Sequence, residues 1–508
     1  MSVFLKENKK MFLLAFVFSV FCFGFMLTHY MVNIDEETWL LNDSGSITWL
    51  LQNRYGIYIY DLMFTRFGRF TPFFTDIVGL VLWNFSGVLF GYVFFDFEKK
   101  NHWWIRLMML CYYNSLPLCV GEAFGFTMQI IPESMAMVFT AAAFIGTVKP
   151  WMKNKKCNAA AVFVLLVASF GVYQALICVY VTAVAAWCLC RFLEGAPLLQ
   201  EMVAGACYSV VSIVAYFLIN WGIGKMVGTA SYLTGNYLGW TDQKGILNAL
   251  FLSFANVARV SLGITIDDVR IYGAVPLRIL MLLFIAVVVM LFLKKKGLAQ
   301  KAGIALFSLG LVCAPFSLYL ALGTYKTPGR MMIALSLAGM IEILIIYESF
   351  SRSLTERAIG LIFAGILVAN ASNMNQIYYH SYLVYQHDKA TADAIMYDIE
   401  RQGHDYHAKA VVFIGSREMD DIPILKSGSL GGSFFSWDGG NIGRMIDFFE
   451  LEGYVLHMPQ LEQIENGLRQ SETMKTWPQE GSIVETDDSI VVYLSKPSEK
   501  WHGTNLGR

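Results

Sequence analysis

The sequence predicts a polytopic α-helical membrane protein of about eleven spans ending in a small α/β domain, and three observations carry that expectation. Hydrophobic residues make up 56% of the 508 and charged residues 15%, where ordinary soluble chains carry about 25% charge. Apolar runs of the roughly 20 residues needed to cross a hydrocarbon core of about 30 Å recur from Met11 onward, because lipid offers the backbone no partner outside a helix. Charge is split along the chain: residues 1–379 hold 27 basic and 19 acidic groups, residues 380–508 hold 11 and 20, together the 38 and 39 of the whole. A membrane domain over 1–379 and a soluble domain over 380–508 follow.

The spans fall at approximately 11–29, 72–95, 103–121, 125–147, 157–172, 174–191, 203–223, 274–293, 302–322, 331–350 and 356–374. The fifth and sixth share one apolar run of nearly two crossings, which divides at Gly171 to Gln174. Lys6, Lys9 and Lys10 precede the first run, and with no small-residue cleavage site after it the run reads as an uncleaved span. All nine cysteines lie in or beside apolar stretches, so neither a disulfide framework nor a CxxC metal site is offered.

Orientation follows from Lys and Arg near span ends. With the N-terminus cytoplasmic, the inner segments collect Lys6, Lys9, Lys10, Lys99, Lys100, Lys149, Lys153, Lys155, Lys156, Arg191, Lys294, Lys295, Lys296, Lys301, Arg352 and Arg357, and the C-terminal domain falls outside the cytoplasmic membrane. The expected outer loops keep scattered cations: Arg54, Arg66, Arg69, Lys244, Arg259, Arg270, Lys326 and Arg330. Two outer segments are too long for turns. Tyr30 to Phe70 and Val227 to Tyr272 both hold amphipathic stretches, TWLLNDSGSITWLLQNRYGIYIYDLMF and ILNALFLSFANVARV, suited to helices lying in the interface.

The tail supplies α/β signals. Ala392, Ile395, Met396 and Ile399 recur at helical spacing, Ala410 to Ile414 and Ser489 to Leu494 are strand-like, and Asp447 to Leu451 ends a helix before Gly453. Neither GxxxxGK[ST] nor GxGxxG occurs there.

Candidate chemistry centres on Asn33-Ile34-Asp35-Glu36-Glu37, three consecutive carboxylates after the first span. Such a cluster can tune a general base for a hydroxyl nucleophile, although acids at a span exit are often simply solvated. Asp76, Glu122, Glu133, Asp267 and Asp268 lie where an outward cavity would need them, and Glu342 is near mid-span, where an ionisable group is costly unless it faces protein or water. Arg66 and Arg69 precede the second span; Lys326 and Arg330 precede the tenth. Their position opposes positive-inside insertion and suits a lipid phosphate, or equally snorkelling to headgroups. Tyr173, Gln174, Asn114 and Pro117 add polar and capping groups near the same boundary.

At these residues the sequence resembles the type II O-antigen glucosyltransferase family, polytopic enzymes of the GT-C class. The resemblance rests on Asp35 and Glu36 after the first span, Gly68 and Arg69 before the second, Pro117 and Glu122, Glu133 in the fourth span, Tyr173 and Gln174, Arg330, and the tail segment GGSFFSWDGGNIGRMIDFFELEGY. The family usually shows Asp where this chain has Glu36 and Glu133. The resemblance implies a GT-C-like fold and transfer of a hexose, typically glucose, from a polyprenyl-phosphate carrier to a surface glycan outside the cytoplasmic membrane, with inversion at the anomeric carbon. It casts Asp35, then Glu36, as the base, Arg69 and Arg330 as stabilising the departing phosphate, and Glu122, Glu133, Tyr173 and Gln174 as binding substrate, a set that Arg66 and Lys326 join by their positions before the second and tenth spans. No cofactor or nucleic acid is implied, and metal use stays open, since a triple carboxylate suits a divalent cation while Arg neutralises a phosphate without one. A flippase or transporter of lipid-linked glycans is the competing expectation, without the internal repeat it should show. A glycan polymerase or ligase using a diphosphate-linked donor is another.

Overall fold

The computed structural model describes residues 1–41, 46–64, 71–228, 238–241, 245–264, 271–324, 328–350, 352–419, 430 and 432–507. The chain divides into two units, Met1–Thr28 with Ser46–Asn375 and His29–Gly45 with Gln376–Arg508.

In the first unit and the helix that continues from it, eight described helices are long and apolar enough to cross a membrane: Pro72–Phe97, Thr127–Val148, Lys155–Val172, Leu176–Glu194, Leu199–Val227, Ala274–Lys294, Leu298–Leu322 and Ser353–Arg401. The other expected spans fall on broken or shorter helices. The apolar stretch from Met11 bends at Phe23 between Ser2–Cys22 and Gly24–Thr28. At 103–121 the Trp103–Ser115 helix stops before Pro117, whose missing N–H cannot continue it, and a π turn, Pro117–Gly121, follows. At 331–350 a 3₁₀ turn, Gly329–Met332, precedes Ala334–Glu348, whose 15 residues rise only about 22 Å and are buried from Ala334 to Tyr347. That helix is therefore wrapped by protein rather than by lipid.

Burial patterns show how the remaining helices meet their surroundings. Leu199–Val227 turns Gly205, Ser209, Ser212, Tyr216 and Asn220 inward and leaves Val210, Val214, Phe217 and Trp221 exposed, which is the polarity expected where the outer solvent is hydrocarbon. Ile246–Ser261 is amphipathic in the same sense, with Ala249, Ser253, Asn256 and Val260 buried and Leu247, Phe251 and Phe254 exposed.

The long segment expected to lie as one stretch along the membrane surface is instead shared between the two units. Ser46–Leu51 and Tyr55–Phe64 pack in the first, while Glu36–Leu41 belongs to the second, where it packs on Ile442–Leu451. Asp35 and Glu37, at the start of this piece, pair with Arg444 of the same unit.

The second unit contains a three-stranded sheet of order β1-β3-β2, with β1 Ala410–Ile414, β2 Ile483–Glu485 and β3 Ser489–Tyr493. The first strand runs parallel and the second antiparallel to β3. All five residues of β1 are buried, as expected of an apolar strand covered on both faces. Ala392, Ile395, Met396 and Ile399 form the buried stripe of the Ser353–Arg401 helix, and Phe448 of Ile442–Leu451 stacks on Phe434 at 4.5 Å between ring centroids.

Candidate functional site

The first unit gathers four sequence-nominated residues, Glu122, Glu133, Tyr173 and Gln174, around two arginines, Arg54 and the nominated Arg330. Its frame is the break between Lys155–Val172 and Leu176–Glu194, where Tyr173 and Gln174 lie buried. Onto this break docks the turn joining Ser46–Leu51 to Tyr55–Phe64. The Gln174 Nε2 donates to the carbonyls of Gln52 at 2.9 Å and Asn53 at 3.3 Å, and the Tyr216 hydroxyl donates to Asn53 O at 3.1 Å. The Tyr55 hydroxyl donates to Val167 O at 2.7 Å, and its ring packs against Gly171, where a Cβ would overlap it.

That docking aims Arg54. Its Nη1 donates to Gln129 Oε1 at 2.9 Å, and its guanidinium carbon stands 4.7 Å from the centroid of the Tyr173 ring. Gln129 and Glu133 are one turn apart on Thr127–Val148 and share its buried face. Glu133 is 3% exposed, lies within electrostatic reach of both Arg54 and Arg330, and its Oε1 has no hydrogen-bond partner among the described residues. Tyr173, 1% exposed, interacts electrostatically with Glu133, Arg54, Arg330 and Glu122, and its hydroxyl likewise has no hydrogen-bond partner among the described residues.

Arg330 sits on the 3₁₀ turn Gly329–Met332, with Nη1 3.7 Å from Glu122 Oε1 and its guanidinium 4.5 Å from the Phe126 ring centroid. The Glu122 carboxylate also accepts from the backbone of Gly329 and Arg330, and it comes so close that any side chain at residue 329 would collide with it. The arginine keeps a quarter of its side chain, 25%, exposed, enough to meet an anion from outside the protein.

The acidic triplet lies in the second unit. Asp35 adopts a left-handed backbone, φ 83°, which costs energy in a residue other than glycine and turns its carboxylate outward, 45% exposed. Arg444 holds it: Nη2 donates to Asp35 Oδ1 at 2.8 Å while Nη1 bonds Glu37 Oε1, and Nε stands 3.6 Å from Asp438. Glu36 points the other way, fully buried, its Oε2 accepting from the Asn33 N–H at 3.0 Å. Burial raises the Glu37 carboxyl to about 6 in spite of the opposing pull of Arg444. Among the described residues no three Asp, Glu, His or Cys side chains form a metal-holding group.

Arg66, Arg69, Lys326, Asp267 and Asp268 lie outside the described residues. Asp76 accepts from the Thr127 hydroxyl at 2.9 Å, and Asn114 donates to Asn84 at 2.7 Å. Glu342, 3% exposed, lies within electrostatic reach of Tyr112. Sequence reasoning passed over three residues that the structure makes central, Arg54, Gln129 and Arg444. The first had been counted among scattered outer cations, and the last stands inside the tail segment already singled out.

The family model of the glucosyl transferase GtrII matches residues 24–368, more than half of the chain, and so takes in Asp35, Arg54, Glu133, Tyr173 and Arg330. No curated protein matches. Eight apolar helices and this match agree: the chain belongs to the type II O-antigen glucosyltransferase family, membrane-embedded enzymes that transfer glucose in O-antigen modification.

Proposed function

We propose that the chain takes glucose from a polyprenyl-phosphate carrier and transfers it, with inversion, to a surface glycan on the extracytoplasmic side of the cytoplasmic membrane. The observation that carries this is Arg330, fixed between the Glu122 carboxylate and the Phe126 ring with a quarter of its side chain, 25%, exposed. Guanidinium forks of this kind suit a single phosphate, and they act best where they are oriented before charge develops on the leaving oxygen. Arg66, Arg69 and Lys326 are further cations that the sequence places ahead of the second and tenth expected spans. A donor that already carries its activating phosphate needs no nucleotide loop, which fits a sequence that has neither phosphate-binding glycine motif.

In the reaction, the acceptor hydroxyl oxygen bonds to the anomeric carbon as the bond from that carbon to the phosphate oxygen breaks. The hydroxyl proton passes to a carboxylate, and polyprenyl phosphate departs with its negative charge met by arginine. Asp35 is the carboxylate we assign, since it is outward-facing and oriented by Arg444, whereas Glu36 is committed to the Asn33 backbone. Lys and Arg density along the spans supports the extracytoplasmic side.

Purified protein in lipid, supplied with radiolabelled polyprenyl-phosphate glucose and acceptor glycan, tests the assignment. Label should move to the glycan, and Asp35→Asn should lower the rate by about 10²- to 10⁴-fold, the contribution typical of a general base, with the protein still inserted. Full activity in that variant removes Asp35 as the base. Intact lipid changing leaflet without transfer, or a demand for a diphosphate-linked donor, contradicts the proposed donor chemistry.

A further inference from the structure

We infer that Arg54, Gln129, Glu133 and Tyr173 form the pocket for the ring of the transferred hexose, with Glu133 and Tyr173 hydrogen-bonding its hydroxyls. The inference rests on the glucosyl transfer that the family shows, but not on the identity of the carrier. Glu133 and Tyr173 each keep a buried polar atom with no hydrogen-bond partner among the described residues, and leaving such a group unsatisfied costs about 1–3 kcal/mol. The two are a carboxylate oxygen, Glu133 Oε1, and a phenol, the Tyr173 hydroxyl, on residues 3% and 1% exposed that interact electrostatically with each other.

A carboxylate oxygen accepts and a phenol both donates and accepts, which is the complement of vicinal sugar hydroxyls. The Arg54 guanidinium would be a poor phosphate clamp in this place, since it already donates to Gln129 and stacks on the Tyr173 ring. It serves instead to fix the rotamers of the two groups that face the sugar and to supply the positive field that keeps a buried carboxylate tolerable. The docked turn Gln52 to Arg54 thereby sets sugar specificity, as a positioning element held by Gln174 and Tyr216.

A series of donors carrying glucose or its 2-, 3-, 4- or 6-deoxy analogues tests this directly, since a site built to bond a hydroxyl discriminates against the sugar that lacks it. The wild type should lose at least about tenfold in kcat/KM for one or two members of the series. In Tyr173→Phe, which removes a single oxygen, and in Glu133→Gln, the penalty for one particular deoxy sugar should shrink toward unity while the others stay as they are. A merely structural role would lower all rates together and leave the pattern intact. The comparison is run with whichever donor supports transfer, polyprenyl phosphate or nucleotide sugar, so an error in the carrier leaves the hydroxyl readout standing. Wild-type indifference to every deletion, or an unchanged pattern in both variants, overturns the inference.

Discussion

Arg444 and Glu37 show how one residue pair sets the electrostatics around Asp35. Arg444 donates to both Asp35 and Glu37, and Glu37 is buried deeply enough for its carboxyl to rise from 4.5 to about 6. A raised folded-state value means that the native protein binds this proton more tightly than the unfolded chain does. The corresponding stability is therefore present below about 4.5 and is lost as pH climbs through about 6. The melting temperature of the wild type should accordingly drop more between pH 4.5 and 7 than that of Glu37→Gln, which has no proton to lose. Parallel profiles would show that Glu37 is not perturbed. At this scale the sequence exposed the acids but not their partner, because Arg444 stands 409 residues from Asp35 and nothing local announces the pairing. Arg54 does not stand out among the outer-loop cations for a related reason: its value comes from Gln129 and Tyr173, 75 residues away in the first case, and not from its own neighbours.

At the scale of elements, two glycines decide whether the site is assembled. Gly171 lies under the Tyr55 ring, and Gly56 abuts the backbone of Val172, so the Tyr55–Phe64 helix seats directly on the end of Lys155–Val172. Gly171→Ala should lift Tyr55, shift the adjoining turn that aims Arg54, and reduce transfer by about 10²-fold, the cost of misplacing a positioning group by about 1 Å. Gly310→Ala, at a helix position with open space around it, should leave the rate unchanged. Equal activity in the two variants would dissociate the docked turn from the site. The division of one apolar run at Gly171 to Gln174 was legible from length alone, since a run of nearly two crossings must turn. Less legible were the helices at 103–121 and 331–350. Hydropathy reports an apolar stretch but cannot tell a lipid-facing crossing from a short helix buried in protein, and only Pro117 gave a local sign of the break.

For the molecule as a whole, composition was the most informative observation, because a chain so apolar has few places to fold outside a bilayer. Strands at Ala410–Ile414 and Ser489–Tyr493 were readable from their β-branched runs, and the buried stripe from Ala392 to Ile399 from its helical period. The partition of the first long segment was not readable, since its Trp- and Leu-rich pattern suits an interface as well as it suits protein packing. The proposal of transfer outside the cytoplasm depends on which compartment the acidic turn faces. Single-cysteine variants at Asp35, 45% exposed, and Lys99, 61% exposed, in a background lacking the nine native cysteines, can be treated in intact cells with a membrane-impermeant thiol reagent. The account predicts labelling of Asp35→Cys from outside and of Lys99→Cys only after permeabilisation. Protection of Asp35→Cys in intact cells, with labelling once the membrane is opened, would contradict it.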